Sequence, residues 1–135
     1  MFHDWGIREN TMNLDNALTI LERNDRCLEN SMIYDLHEEC TFSVEHFWDY
    51  YDSVMTLAIE ALIREKTIEI AMKIAFVYQY FLKEIIYHFD EQDGVILKNF
   101  PSNYTEYIER VDGALGAYFR GVFIEESNYR LERSL

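Results

Sequence analysis

Only one proline, Pro101, and five glycines interrupt these 135 residues, and between them the apolar side chains recur at steps of three, four and seven. That spacing gathers them on one side of an α-helix, where a strand would send alternate residues to opposite faces. With so few breakers, the reading is an all-α, single-domain bundle of four to six helices. Hydrophobic residues make up 49% of the chain, enough for a core and too many for a disordered acidic tail.

The first helical region runs from about Leu14 to about Leu36, with Leu14, Leu18, Leu21, Leu28, Met32 and Leu36 as its apolar positions. Asn24 and Asp25 fall where an apolar residue is due, so a kink or break is expected there. Residues 1–12 read as an N-terminal arm, with Phe2 and Trp5 available to dock on the core. A second helix starts near Ser43, a good N-cap type. Its stripe of Val44, Phe47, Trp48, Tyr51, Val54, Met55, Ala58, Ala61 and Leu62 is about 140° wide, and Glu45, Asp49, Asp52, Thr56 and Glu60 lie opposite.

The third helix, from about Lys66 to about Phe89, is apolar almost all round and is expected at the centre of the bundle. Ile70, Ala71, Ile74, Val77, Tyr78, Phe81, Leu82 and Ile85 would be surrounded by other helices. A fourth helix opens at Ser102 or Asn103, and Asn103 with Glu106 resembles a capping box. Its glycines either admit a neighbouring backbone or mark a break near Gly113 or Gly121. Residues 126–135 form a tail that extends this helix or frays.

Several function classes fall away. The longest charge-free stretch of the most apolar helix, Ile74 to Leu82, is nine residues between Lys73 and Lys83. A spanning helix needs about 20 apolar residues, so no membrane anchor is expected. Residues Met1 to Gly6 lack the basic start and apolar run of a secretory signal. Cys27 and Cys40 read as buried free thiols, which suits a cytoplasmic protein.

Catalytic motifs are missing as well. The sequence holds no phosphate-binding loop, no dinucleotide fingerprint, no nucleophile elbow, and no arginine followed one to two helical turns later by a histidine. His37 and Glu39 match the start of a zinc-deaminase motif whose cysteine pair is absent. No enzyme and no cofactor is expected. The one metal arrangement worth testing joins His37, Cys40 and His46.

The charge is what remains, and it is uneven. The chain carries 25 acids and 12 bases, for a net charge of −13. Residues 1–65 hold 14 acids against 4 bases, residues 66–135 hold 11 against 8, and no lysine or arginine lies between Arg26 and Arg64. Glu29, Asp35, Glu38, Glu39, Glu45, Asp49, Asp52 and Glu60 all fall in that gap. Such a concentration sets up a surface potential of several kT, and like charges one turn apart, such as Glu45 and Asp49, cost a few tenths of a kcal/mol.

The pattern disfavours direct nucleic-acid binding, which needs clustered lysine and arginine. It fits a non-enzymatic protein that neutralises a basic protein partner, most concretely an immunity or inhibitor protein for a toxin nuclease. The expected contact residues are Glu38, Glu39, Glu45, Asp49, Asp52 and Glu60, with Tyr50 off the apolar stripe at the border of the surface. Trp48 and Tyr51 fit the core. The alternatives are a DNA mimic acting on a restriction or CRISPR nuclease, a metal-dependent enzyme at His37, Cys40 and His46, and a plain oligomerisation module.

Overall fold

The computed structural model describes residues 12–133. The expected N-terminal arm, with Phe2 and Trp5, therefore lies outside the described residues except for Met12, which packs on the core. Five α-helices form a bundle: α1 (Leu14–Asp25), α2 (Met32–His37), α3 (Val44–Glu60), α4 (Ile68–Phe89) and α5 (Tyr104–Arg120), followed by a single 3-10 turn at Glu126–Asn128.

Four helices open on a side-chain cap. Asn13, Ser31, Ser43 and Thr67 each accept from the amide three residues on, at 2.8, 3.1, 3.1 and 3.3 Å, satisfying one of the amides the first turn leaves free. At the start of α5, Asn103 does not make the expected capping box: its side chain turns to the Glu106 carboxylate at 3.3 Å and leaves the amides alone. Gly121, at φ 68°, ends α5 in the left-handed turn that favours glycine.

The break at Asn24 has a specific cause. The Asn24 side chain is buried, donates to the Ile20 carbonyl at 3.0 Å and accepts from the Ile33 amide at 3.1 Å. It thus completes the last turn of α1 while stitching α2 back onto it. Cys27 and Asn30, both at positive φ, let the chain reverse between the two helices.

The most enclosed helix is α3, which makes its most extensive contacts with α1 and α5. Phe47, Val54 and Ala58 are fully buried, and the Ser53 hydroxyl donates to the Ala17 carbonyl of α1 at 2.6 Å. Phe42, Phe47, Phe81 and Tyr107 form the aromatic centre, with neighbouring ring centroids 4.8 to 6.5 Å apart. Each such ring, taken out of water, is worth about 2 kcal/mol or more. The nearly all-apolar helix α4 packs on α1, α2 and α5, and Ile74, Val77, Phe81 and Ile85 are buried there. The enclosure stops at that one side: Ile68, Met72, Phe76, Tyr80 and Ile86 on its outer face are exposed.

Two connections are fastened together. Lys98 accepts from the Phe42 amide at 2.9 Å and donates to the Cys40 carbonyl at 2.8 Å, a single parallel bridge at Thr41. Past Gly121 the tail neither extends the helix nor frays over its described part. Leu131 is buried, and Arg133 closes an ion pair with Asp52 of α3. Gly113 stays inside α5, where the Tyr129 side chain of the tail crosses it.

Candidate partner-binding surface

The acidic residues of the gap between Arg26 and Arg64 divide into two sets. Asp52 and Glu60 are engaged internally. Asp52 is half-buried beneath Arg133, which arrives from the far end of the chain, and Glu60 holds Arg64 one turn on at 2.5 Å. Burial pushes the Asp52 carboxyl upward and Arg133 pulls against that. Neither side chain stands as a bare charge, so the expected row along α3 is cut short at its C-terminal half. Tyr50 does not border any surface: it is 0% exposed, and its hydroxyl donates to the Ile74 carbonyl of α4 at 3.2 Å. The stripe on α3 is wider than the spacing rule drew it, because helices pack on two of its sides.

The second set gathers where α2 meets the start of α3. Glu29, Glu38 and Glu39 surround Tyr34, whose hydroxyl is raised by burial and then by these three carboxylates. Asp35 on the next position reaches His46 of α3, with Nδ1 and Oδ2 2.5 Å apart, and this contact locks the two helices at the corner. Beyond it lie Glu45 and Asp49. Burial raises the Asp49 carboxyl most, Glu45 and Asp52 push the same way, and His46 opposes them. Among the described residues, no lysine or arginine forms an ion pair with Glu29, Glu38, Glu39, Glu45 or Asp49.

Local structure explains why carboxylates are tolerated here. Asp35 and Glu45 sit in the first turns of α2 and α3, where the helix dipole favours negative charge. Beside them is an open polar hollow of about 360 Å³ lined by Asn16, Thr19, Arg23, Asn30, His46 and Asp49. Arg23, on the α1 wall, lines this hollow together with Asp49.

The metal arrangement is not built. His37 faces Glu84 and Glu38 at 3.8 Å each, while His46 is taken by Asp35. Among the described residues no group of three His, Cys, Asp or Glu side chains is placed to hold a metal ion. Cys27 and Cys40 are free and half-buried. Burial pushes the Cys27 thiol up, and the charges of Glu38 and Glu84 push it further, so it is a poor nucleophile.

Among the described residues, the largest fully buried side chain escaped the sequence reading. Arg110 of α5 is 1% exposed and lies among the rings of Tyr129, Trp48 and Tyr51, at 4.1, 5.1 and 5.4 Å. It grips Glu126, the Leu131 carbonyl and the Tyr51 hydroxyl. Burial works against its charge, and these partners more than offset it. The only sequence signal was an arginine next to Val111 inside an apolar stripe. Its role is structural, seating the tail on α3.

No family model, curated protein or solved structure matches the chain. No described helix is long and apolar enough to cross a membrane.

Proposed function

We propose that this is a non-enzymatic acidic binding protein whose contact surface is the α2–α3 corner, carrying Glu29, Glu38, Glu39, Glu45 and Asp49. The partner is a basic protein, most concretely a toxin nuclease whose cationic active-site surface this corner would cover. The observation that carries the reading is the contrast between the two acidic sets. The chain pairs Asp52 and Glu60 with its own arginines, yet leaves five carboxylates at one corner with no such partner among the described residues.

Charge held in this way speeds the encounter with a basic surface and disfavours wrong partners. Three of its carboxylates, Glu29, Glu38 and Glu39, act together on Tyr34, and a cluster of this kind suits a globular basic protein better than mimicry of duplex DNA, which calls for a long row of charges.

The test is affinity capture from cells of the source at low ionic strength, with the native chain beside a variant carrying Glu38→Lys, Glu39→Lys, Glu45→Lys and Asp49→Lys. A basic protein retained by the native chain, released by salt and lost with the variant supports the reading. Equal retention by both chains overturns it. Duplex DNA added as competitor separates the mimic, since only a nucleic-acid-binding partner would be displaced.

A further inference from the structure

Among the described residues, the outer face of α4 is a broad apolar surface left in water. Ile68 is 78% exposed, Ile86 63%, Tyr80 50% and Phe76 49%, and Met72 and Tyr87 are also exposed. Together these side chains leave on the order of 600 Å² uncovered, at the upper end of the largest patch a monomer carries, against about 800 Å² per partner in a standard interface. We propose that α4 is a homodimer interface, pairing antiparallel with α4 of a second copy about a two-fold axis beside Phe76.

Charge and spacing both point to a second copy as the occupant. Glu69, Phe76 and Lys83 recur every seven residues, so they drift by only about 20° per step and form a seam of the kind that left-handed helix pairs use. Phe76 lies midway between the other two. A two-fold axis there brings Glu69 to the height of the partner's Lys83, and the reverse, so that each pair occurs twice. Met72 and Tyr80, four residues to either side of Phe76, then share a layer across the seam with their counterparts.

The charges are free to make that exchange. Glu69 meets Lys73 at 3.3 Å, but Lys73 is held more closely by Glu22 of α1 at 2.5 Å. Lys83 lies 5.8 Å over the Tyr80 ring and makes no ion pair among the described residues. A chain of net charge −13 repels its own copy over most of its surface. The α4 face, with one acid and one base on its seam, is where two copies approach without that penalty.

Sedimentation velocity over a wide concentration range tests this on the whole chain. The expected result is reversible association to twice the 16.2 kDa monomer mass. Phe76→Glu, at an exposed position that leaves the helical circular-dichroism signal intact, should give monomer at every concentration. Glu69→Lys alone should weaken association about tenfold by facing two lysine pairs, and Glu69→Lys with Lys83→Glu should restore it. A native chain that stays monomeric overturns the proposal and leaves the face to a different protein. Dimers that survive Phe76→Glu, or a double swap no better than the single one, overturn the seam.

Discussion

Arg110 holds Glu126 through two parallel hydrogen bonds, 2.8 and 2.9 Å long, so that a guanidinium buried between α3 and α5 is neutralised by a residue of the tail. Removing it strands the Leu131 carbonyl and the Tyr51 hydroxyl it also serves. Arg110→Ala should lower stability by about 3 kcal/mol in urea unfolding, the low end for a broken buried pair, because Glu126 keeps access to solvent. Arg110→Lys should rescue only a part, because an ammonium cannot make the forked contact. Glu126→Gln keeps the geometry without the charge and should cost about 2 kcal/mol.

Two glycines of the same helix should respond with opposite signs. A methyl group at Gly116 meets nothing within 4 Å, whereas one at Gly113 would stand 1.9 Å from the Tyr129 hydroxyl and 2.8 Å from its ring. Gly116→Ala should therefore stabilise α5 by up to about 1 kcal/mol. Gly113→Ala should destabilise, because Tyr129 is held against Arg110 and cannot step aside without loosening the tail. Tyr129→Phe in the Gly113→Ala background should recover part of the loss. Paired denaturation curves would check both signs.

Glu84 is a buried carboxylate, and among the described residues the counter-charge facing it is His37, 3.8 Å away. Burial raises it first, His37 opposes that, and Asp93 adds to the rise. A carboxyl raised on folding takes up a proton, so its contribution is fully present below the ordinary carboxylate range and is lost as pH climbs through the raised value. Glu84→Gln should melt a few degrees higher than the native chain at neutral pH, and this advantage should vanish in acid where Glu84 is already protonated. A thermal melt at each pH reads the difference.

Asp52 and Arg133 are distant in sequence and paired in space. In a double-mutant cycle, Asp52→Asn and Arg133→Gln should show a coupling of about 1 kcal/mol. By contrast, reversing Glu38, Glu39, Glu45 and Asp49 to lysine should change the unfolding midpoint little, since relief of like-charge repulsion offsets the helix-dipole contact that Glu45 loses. The two results together would separate loss of binding from loss of fold.

What could be read from the sequence was local. Ser43 as a cap, Asn24 as a break and Gly121 as a stop all act through bonds within a few residues, and each lies where spacing rules look. What could not be read was tertiary. Tyr50 is off the main stripe of α3, yet a second neighbour covers that side, and α4 has the composition of a surrounded helix but is covered on one side alone. Arg133 neutralises Asp52 from beyond the last helix, so the bare stretch between Arg26 and Arg64 was only a statement about chain neighbours. The first half of that stretch was set locally, with Asp35 and Glu45 in the first turns of their helices, while no pattern along the chain foretold which acids the tail would reach.

The position of Trp48 has a practical consequence. Its indole lies within 4.4 Å of the Arg133 guanidinium and 5.1 Å of the Arg110 guanidinium, with Tyr51 edge-on at 5.4 Å. Only one other tryptophan, Trp5, occurs in the chain, so a Trp5→Phe background would isolate a single fluorophore at the seat of the C-terminal strap. Lifting that strap would change the emission while the five helices keep their backbone signal, so the two readouts would tell release of the tail from unfolding of the bundle.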